Sequence, residues 1–351
     1  MTPDTPQPVA SPTPGAAPPA PASDLGVVPG LIWAFRIVDD GSAAPLPTDQ
    51  PIPRPHQGWL WLHFDLASVP ATSWLAAADL PPQAVALMLS FDSHQQLHAA
   101  GTVLYGILVD LVRDLHGAGD DVDFLRFIMT EQMLVTGRRR SLAAVETTKD
   151  TLLAGDSRPR HCASLLELII EHVADGVETV ADDLAGKLDE IEEQLAVKSI
   201  GPARRNLANV RRTSVRLHRH LSGLQAVLNR LERQDAATVN IKLQFRVNRL
   251  AQRLEALDRV ILEIRERGYR LQDEVSATIA EETNRHLHLL SILTTLLLPA
   301  TFVAGIFGMN TKWLPFINED GGFWWVMGMV GGSSIVTYLV LRVIGVFKPR
   351  E

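Results

Sequence analysis

Residues 287–310 read LHLLSILTTLLLPATFVAGIFGMN, and this stretch decides the fold. His288 is its only ionisable residue. From Leu287 to Phe307 its length matches the roughly 20 apolar residues that a helix needs to cross a hydrocarbon core of about 30 Å. A second apolar stretch, interrupted only by Arg342, begins at Phe323. The sequence therefore predicts two transmembrane helices, over residues 287–309 and 323–347.

The distribution of basic residues predicts the orientation of these helices. Arg285 precedes the first stretch, Lys348 and Arg350 follow the second, and Lys312 is the only basic residue of the link 310–322. Loops rich in Lys and Arg stay in the cytoplasm. We expect both termini, including the tail 348–351, to lie in the cytoplasm and the link to face outward, in a bacterial-type inner (plasma) membrane.

Most of the chain before the apolar stretches has the composition of a soluble protein. Residues 1–25 are rich in Pro and Ala and predict a disordered tail. Residues 26–155 alternate between strand-like and helix-like patterns, which predicts a cytoplasmic α/β domain with a mixed sheet. Within it we expect strands over 101–112 and 124–137, with a turn over 117–121 between them.

The remaining residues before the membrane show the three-four spacing of long helices. Leu166 to Leu195 carries one apolar face, which predicts cytoplasmic long helices over 156–239. A further periodic run predicts a stalk helix over 240–286 that continues into the first span. As one helix, residues 241–307 would extend roughly 100 Å, far more than a globular domain needs.

The first span is not a plain anchor, because polar residues recur along one face. At helical spacing this stripe contains Asn284, Leu287, Leu290, Thr294, Leu298, Thr301 and Gly305, with Asp273 about three turns below Asn284. Hydroxyls and amides among leucines suit a narrow pore for a hydrated ion. Thr side chains also bond their own backbone or join neighbouring helices. The spacing alone leaves both interpretations open.

The segment Gly308-Met309-Asn310 resembles the Gly-Met-Asn signature of the CorA superfamily of divalent metal ion transporters. It stands where that family has it, at the outer end of the first of two C-terminal spans. The resemblance covers nearly the whole chain in architecture and leaves out only the Pro/Ala-rich tail. It implies a homopentameric funnel whose first spans line a central pore.

Within the superfamily the chain resembles the zinc-transporting ZntB branch. The phrases that carry this resemblance are residues 58–65 with Trp74-Leu75, and residues 308–316. Magnesium channels usually place an acid near a Met-Pro after the signature, whereas here Trp313-Leu-Pro-Phe316 stands there. The resemblance implies zinc uptake, with possible coupling to protons. A magnesium or cobalt channel of the same superfamily is the nearest alternative.

The resemblance also implies roles for particular residues. Gly308, Met309 and Asn310 would ring the outer pore mouth, where neutral oxygens hold a hydrated ion. We expect Glu319 and Asp320 to raise the cation concentration outside the mouth, with a solvated loop as the alternative. Asp273 could form a ring at the inner pore, although an acid in a charged stalk is ordinarily only solvated.

Zinc ligands beyond the pore are not indicated by the sequence. His286 and His288 lie about 200° apart on a helix, so one helix cannot offer both to one ion. His161-Cys162 with Glu171-His172 has no recognised ligand spacing, which predicts a surface helix. No cofactor is expected besides the transported cation, for which zinc is favoured, and the partners are membrane lipids. The sequence leaves open which residues bind a metal.

Composition and missing motifs exclude other classes. A net charge of -7 does not suggest a nucleic-acid partner, and one cysteine cannot form an intrachain disulfide. We find no phosphate-binding Gly-Lys-Ser/Thr loop, nucleophile elbow or HExxH motif, so an enzyme is not expected. A membrane-anchored coiled-coil scaffold would explain stalk and spans, but not Asn310 or the polar stripe.

Overall fold

The computed structural model describes residues 25–55, 57–114, 117–197, 200–233, 247–309 and 321–344. The chain divides into two compact units, which are described separately. The first unit comprises Met1–Glu190 and Ala208–Gly268, and the second comprises Ile191–Leu207 and Tyr269–Glu351. The predicted tail 1–25 lies, apart from Leu25, outside the described residues.

The first unit contains a seven-stranded mixed sheet, as predicted. In chain order its strands are β1 (Leu31–Ile37), β2 (Ala43–Leu46), β3 (Trp59–Asp65), β4 (Gln96–Ala100), β5 (Val103–Asp114), β6 (Gly117–Met129) and β7 (Met133–Arg138). Their order in the sheet is β2-β1-β3-β7-β6-β5-β4. Only β3 and β7 pair in parallel, and the other neighbours are antiparallel.

Two short helices, α1 (Val69–Ala77) and α2 (Pro82–Leu89), follow β3 and cover one face of the sheet. Leu75 and Met88 from these helices join Leu62, Phe64 and Ile128 from the strands in one buried cluster. Strand residues alternate between the two faces, so this cluster uses every second residue of β3. Both helices lie within residues 26–155, where the sequence predicted helix-like patterns between the strands.

The opposite face of the sheet holds an aromatic cluster around one buried histidine. Trp61 donates its Nε1 proton to Thr136 Oγ1 at 2.8 Å, and His63 Nδ1 lies 2.8 Å from the same hydroxyl oxygen. Trp33 stacks on His63 with ring centroids 4.1 Å apart. Complete burial lowers the pKa of His63 well below its ordinary value, so this ring is neutral and structural.

The predicted turn over 117–121 is wrong. Residues Gly117–Met129 form one strand, which pairs with β5 through Arg113↔Ala118 and Asp114↔Gly117. The run predicted as a single strand over 124–137 instead breaks near Thr130, where the backbone N–H of Thr130 donates to the carbonyl of Met133. Gly and Asp residues suggested a turn at the wrong place, because strand pairing overrode their local preference.

Helix α3 (Ala143–Ala154) begins on a buried carboxylate from the sheet. Asp110 on β5 accepts hydrogen bonds from the backbone N–H groups of Ala144 at 3.1 Å and Val145 at 3.3 Å. It also accepts from the N–H of Leu111 at 2.7 Å. Burial raises the pKa of Asp110 to about 7, and the three backbone donors oppose that rise.

The long helices are α4 (Cys162–Ala196), α5 (Ile200–Arg233) and α6 (Val247–Phe307). The apolar positions predicted from Leu166 to Ile191 are all buried on α4. Three arginines of α6 bind acids of α4 that lie 78 or 75 positions earlier: Arg249–Glu171 at 3.2 Å, Arg253–Asp175, Arg253–Glu178 at 3.0 Å and Arg267–Asp189 at 2.6 Å. The repeated offset of 78 positions shows that α4 and α6 run parallel within the first unit.

Helix α5 is fixed against α6 by a histidine. His218 Nδ1 lies 2.7 Å from a carboxylate oxygen of Asp258. The offset of 78 positions places Val180 of α4 level with Asp258, and therefore with His218. Along β6, the contacts of α5 advance from Asp121–Arg216 to Phe124–His220. The contacts of α4 advance the opposite way, from Glu131–Cys162 to Val122 beside Val173, so α5 runs antiparallel to α4 and therefore to α6.

Candidate functional site

Two helices of the second unit have the length and composition to cross a membrane. They are the C-terminal part of α6 and helix α7 (Gly322–Ile344). None of the residues in the apolar window of either helix is buried by the rest of the chain. The core helix of a soluble protein would be covered, so these apolar surfaces need lipid or other copies of the chain.

Partial burial in the apolar part of α6 is confined to one face. Ile292, Leu296, Val303 and Phe307 are half-buried and lie on this face, together with Pro299, Ala300 and Ile306. At about 100° per residue, these seven positions lie around 120° to 240° from Thr294. The back of the helix is therefore partly buried, whereas the side that carries Thr294 is exposed.

The predicted pore stripe occupies the opposite, exposed side. Its members from Leu287 to Gly305 lie within about 40° of Thr294 and are all exposed: Leu287, Leu290, Thr294, Leu298, Thr301 and Gly305. Leu298 is 66% exposed, although it lies in the middle of the apolar run. The structure thus brings these six predicted residues to one uncovered surface, which we call the α6 stripe.

Helix α7 also has one face that is partly buried. Val326, Val330, Ser333, Thr337 and Leu341 are half-buried at three-four spacing. Two helices that pack side by side would partly bury one face of each helix in this way. On α6 the half-buried positions lie opposite the stripe, so the contacts that cover them leave the stripe free.

The hydroxyl protons of the threonines in the stripe are donated to backbone carbonyl oxygens. Thr294 Oγ1 donates to the carbonyl oxygen of Leu290 at 2.8 Å, and Thr301 Oγ1 donates to that of Leu297 at 2.9 Å. A hydroxyl has one proton and two lone pairs, so each of these oxygens can only accept further hydrogen bonds. The stripe therefore offers acceptors between its leucines.

An open groove of about 680 Å³ follows the stripe toward the end of α6. Its lining includes four predicted residues, Thr294, Leu298, Thr301 and Gly305, and also Met309 of the signature. Leu293, Leu297, Phe302 and Ile306 complete it, Ile306 from the edge of the half-buried face. These four flanking residues were not predicted from the sequence, because the stripe follows a single line of residues and the groove is wider than that line. Their positions beside each stripe member were the available signal.

Helix α6 ends at the signature. The N–H of Gly308 donates to the carbonyl of Ala304 at 2.9 Å, and the N–H of Met309 donates to that of Ile306 at 3.2 Å. Met309 is 55% exposed. Asn310, Glu319 and Asp320 lie outside the described residues, so their predicted roles remain predictions.

The two predicted residues below the apolar run are exposed but do not continue the stripe in a straight line. Asn284 and Asp273 lie about 80° and 60° around the helix from Thr294. Leu271 and Val275 are buried on the other side of this part of α6. Asp273 therefore faces away from the packed side, as an inner ring would require.

The described residues hold no group of three or more His, Cys, Asp or Glu side chains that could bind a metal ion. Cys162 is buried, its S–H donates to the carbonyl of Glu131 at 3.8 Å, and burial raises its pKa. His172 Nδ1 lies 2.8 Å from Thr148 Oγ1, and burial lowers its pKa. His172 packs α4 against α3, and Cys162 packs α4 against the chain after β6. The surface position predicted for this helix is therefore wrong for Cys162, which is buried.

Comparison with known proteins places this architecture in a family. The family model described as "CorA-like Mg2+ transporter protein" matches residues 56–342. The chain belongs to this family. Its relatives include the divalent cation transporter CmaX of Pseudomonas aeruginosa, which is 30% identical over 293 residues that cover 81% of this chain and 86% of that protein. They also include the zinc transport protein ZntB of Pectobacterium carotovorum, 26% identical over 299 residues that cover 84% and 89%.

Solved structures of CorA-like proteins share the fold. Full-length CmaX matches with a TM-score of 0.72 and 27% identity, over 89% of this chain and 97% of that chain. The CorA magnesium transporter from Methanocaldococcus jannaschii matches with a TM-score of 0.70, over 89% and 98%, at 17% identity, a likeness of fold alone. The predicted N-terminal α/β domain, long helix and two membrane-span candidates are confirmed. The chain is a divalent cation transporter of the CorA/ZntB family and not an enzyme.

Proposed function

We propose that five copies of this CorA-like chain surround one central pore lined by the α6 stripe. The observation that carries the proposal is the position of the stripe, exposed and opposite the partly buried face of α6. A pore-lining surface has to be left uncovered within one subunit and must carry polar groups at intervals. The α6 stripe meets both requirements. The positive-inside distribution supports an inner-membrane protein with both termini in the cytoplasm.

The signature forms the outer mouth in this proposal. Rings of Gly308, Met309 and Asn310 present carbonyl and amide oxygens, which hold a divalent ion through its water shell. A ring of carboxylates would bind the ion more tightly and release it more slowly. Glu319 and Asp320 raise the cation concentration outside the mouth, and Asp273 forms the inner ring.

The threonine acceptors explain how an uncharged wall can favour cations. Water molecules around a cation turn their hydrogens outward, so the wall must accept hydrogen bonds from them. Thr294 and Thr301 present oxygens whose own protons are held by backbone carbonyls. Each water around an anion directs one hydrogen to the ion, so it has fewer hydrogens left for these acceptors, and neither threonine has a proton to donate to its oxygen. Selection by charge then follows from the direction of hydrogen bonds.

Zinc is the ion that we propose, taken up into the cytoplasm. The relatives named as zinc transport proteins and the Trp313-Leu-Pro-Phe316 segment, which replaces the acid usual in magnesium channels, support zinc. A magnesium or cobalt channel is the second candidate, supported by the description of the family model. A membrane potential of about 100 mV favours the entry of a divalent ion by about 4.6 kcal/mol, from roughly 2.3 kcal/mol per charge.

Proton coupling would have to use groups at the edges of the apolar run or beyond them. His288 is the only ionisable residue between Leu287 and Phe307. A proton relay through the membrane ordinarily needs ionisable side chains along it. If zinc uptake is coupled to protons, His286, His288 or the acids of the link 310–322 must carry the proton.

Zinc and magnesium flux into liposomes that contain the purified protein tests this function. The wild-type chain and Asn310→Ala are compared at two pH gradients. We expect zinc flux that depends on Asn310 and, with coupling, rises with an inward proton gradient. Magnesium flux that is indifferent to protons would assign the chain to the channel branch. Correctly inserted protein that passes neither ion would contradict the proposal and favour a scaffold.

A further inference from the structure

Charge is segregated between the two long helices α4 and α5. Lys187 is the only basic residue of α4, which is otherwise rich in Asp and Glu. Helix α5 is rich in arginine over the same length. Solvated helix faces ordinarily mix both signs, since alternating charges stabilise one another along the surface. Segregation of this extent needs another explanation.

The charges form two straight faces. On α4, Asp175, Asp182 and Asp189 recur every seven residues and are exposed, with Glu193 in line; we call these four residues the acidic face. On α5, Arg205, Arg212 and Arg219 also recur every seven residues and are exposed, with Arg230 in line; we call these four the arginine face. Residues seven apart lie within about 20° of each other on a helix. Each face points away from the buried side of its own helix.

Contacts within one chain leave much of both faces unused. Asp175 and Asp189 are bound by arginines of α6. Asp182 and its neighbour Glu190 form no ion pair in the part of the chain that the structure describes, and neither do Arg212 and Arg219. Acids and arginines that could neutralise one another thus remain exposed on the same molecule.

The two faces lie at similar positions along the helix axes, which we call their height. His218 lies within about one turn of residue 180 of α4, and the two helices run antiparallel, so Arg212 lies within about one turn of Gly186. Gly186 lies on the acidic face between Asp182 and Glu190 and is exposed. Those parts of the arginine face and the acidic face that belong to the first unit therefore lie at similar heights.

We propose that the arginine face of α5 binds the acidic face of α4 on a second copy of this chain. This inference rests on the proposed ring of subunits. Rotation about an axis parallel to α6 keeps every residue at its height, so Arg212 of one copy meets the region of Gly186 on the next. A contact between two different faces is head-to-tail, and it closes into a ring when the rotation fits.

Each charged pair is weak and sensitive to salt because it is exposed. Several pairs in register select which faces meet and fix the height at which they meet. The apolar membrane-span parts of α6 and α7 can associate without selecting which faces meet. The charged faces would therefore set the order of subunits around the ring.

Disulfide trapping between differently tagged chains tests the contact. One chain carries Gly186→Cys, the other carries Arg212→Cys, and both are produced together, so that only a contact between chains yields a mixed dimer. An added Cβ at Gly186 meets no atom within 4 Å, and native Cys162 is buried. We expect a mixed disulfide at least about fivefold stronger than with the matched control Arg211→Cys, because Cβ atoms must approach within about 4.5 Å.

Charge reversal gives an independent measurement. We expect Arg212→Glu with Arg219→Glu to raise the concentration at which the detergent-solubilised oligomer dissociates by about tenfold, an order set by a few exposed pairs. Adding Asp182→Arg and Glu190→Arg should restore it, and Arg212→Lys should keep it. A reversed chain that stays oligomeric but loses binding to phosphatidylglycerol vesicles would overturn the proposal and assign the arginines to lipid.

Wild-type protein in the same preparation separates this inference from the proposed function. Its oligomeric mass and its cation flux are measured beside the trapping experiment. A wild-type ring that conducts, combined with a Gly186–Arg212 disulfide no stronger than the control, overturns the contact and leaves the pore. A wild-type chain that is monomeric and passes no cation contradicts the pore itself.

Discussion

Thr294 and Thr301 lie seven residues apart on the exposed side of α6, and each donates its hydroxyl proton to the carbonyl oxygen four residues earlier. The two acceptor oxygens are about 10.5 Å apart along the helix axis. Leu298 stands between them on the same side. A hydrated cation that moves along this side would alternate between an acceptor and an apolar constriction.

Removing the hydroxyls at either position should slow transport. We expect Thr294→Val or Thr301→Val to lower cation flux by roughly tenfold, since a net hydrogen bond contributes about 1 kcal/mol and several waters would lose one. Thr→Ser at the same positions keeps the hydroxyl and should keep most of the flux. The measurement is zinc and magnesium flux into liposomes at matched protein density.

Thr295 provides the control for this prediction. It also donates to a backbone carbonyl, that of Ser291 at 2.7 Å, and it lies about 100° around the helix from Thr294. Thr295→Val should leave flux within about twofold of the wild type, because its oxygen faces away from the stripe. Equal losses at Thr294 and Thr295 would show that the side of the helix does not matter.

The ion-pair network at Glu146 should stabilise the α/β domain near neutral pH. Glu146 accepts from Arg138 at 2.5 Å, Lys149 at 2.9 Å and Arg113 at 3.4 Å. Burial by itself would raise the pKa of Glu146, but Lys149 and Arg138 hold it below its ordinary value. We expect Glu146→Gln to lower the free energy of unfolding by about 1–3 kcal/mol at pH 7, measured by denaturant titration.

The pH dependence of that effect has a definite sign. A carboxyl with a lowered pKa in the folded state stabilises above its unfolded pKa and loses this contribution as the pH falls through the folded value. The stability difference between wild type and Glu146→Gln should therefore shrink below about pH 4. A difference that is constant from pH 7 to pH 3 would contradict an ionic role for Glu146.

Asp110 should act on stability in the opposite direction. Its pKa in the folded protein is about 7, above the ordinary value of 3.8, because of burial. The folded state then holds a proton that the unfolded state releases, and stability falls as the pH rises from about 4 to 7, by at most about 1.4 kcal/mol per pH unit. Thermal unfolding followed by Trp signals between pH 4 and 8 measures this slope.

Asp110→Asn removes the titration and keeps an oxygen that can accept from Ala144 and Val145. This variant should show a flatter stability profile between pH 4 and 7 than the wild type. If instead the backbone donors at the start of α3 keep Asp110 ionised throughout, the two profiles will be parallel. That outcome would mean that hydrogen bonding to the carboxylate outweighs its burial.

The sequence predicted the elements that depend on periodicity. Buried positions of α4 and the stripe of α6 follow directly from three-four spacing, and the spans follow from length and charge. The turn over 117–121 failed because Gly and Asp favour turns only when no neighbouring strand competes for the backbone. At Gly117–Ala118 the strand β5 does compete.

Other features depend on contacts between distant residues and could not be predicted. The parallel register of α4 and α6 rests on pairs such as Arg267–Asp189, and the cap of α3 rests on Asp110. Spacing alone did not decide whether Thr294 lines a pore or bonds its own backbone, because these two roles were treated as alternatives. The structure shows that this bond and an exposed acceptor oxygen exist together, so the two interpretations are compatible.

Cysteine accessibility during transport tests the central claim, that the α6 stripe lines a cation pore, most directly. Thr301→Cys and Thr295→Cys are each reconstituted, and zinc flux is measured before and after addition of a small cationic thiol reagent. The account predicts that the reagent blocks flux through Thr301→Cys and leaves Thr295→Cys and the wild type unaffected. Block at Thr295→Cys with no effect at Thr301→Cys would contradict it, because the conducting side would then be another face of α6.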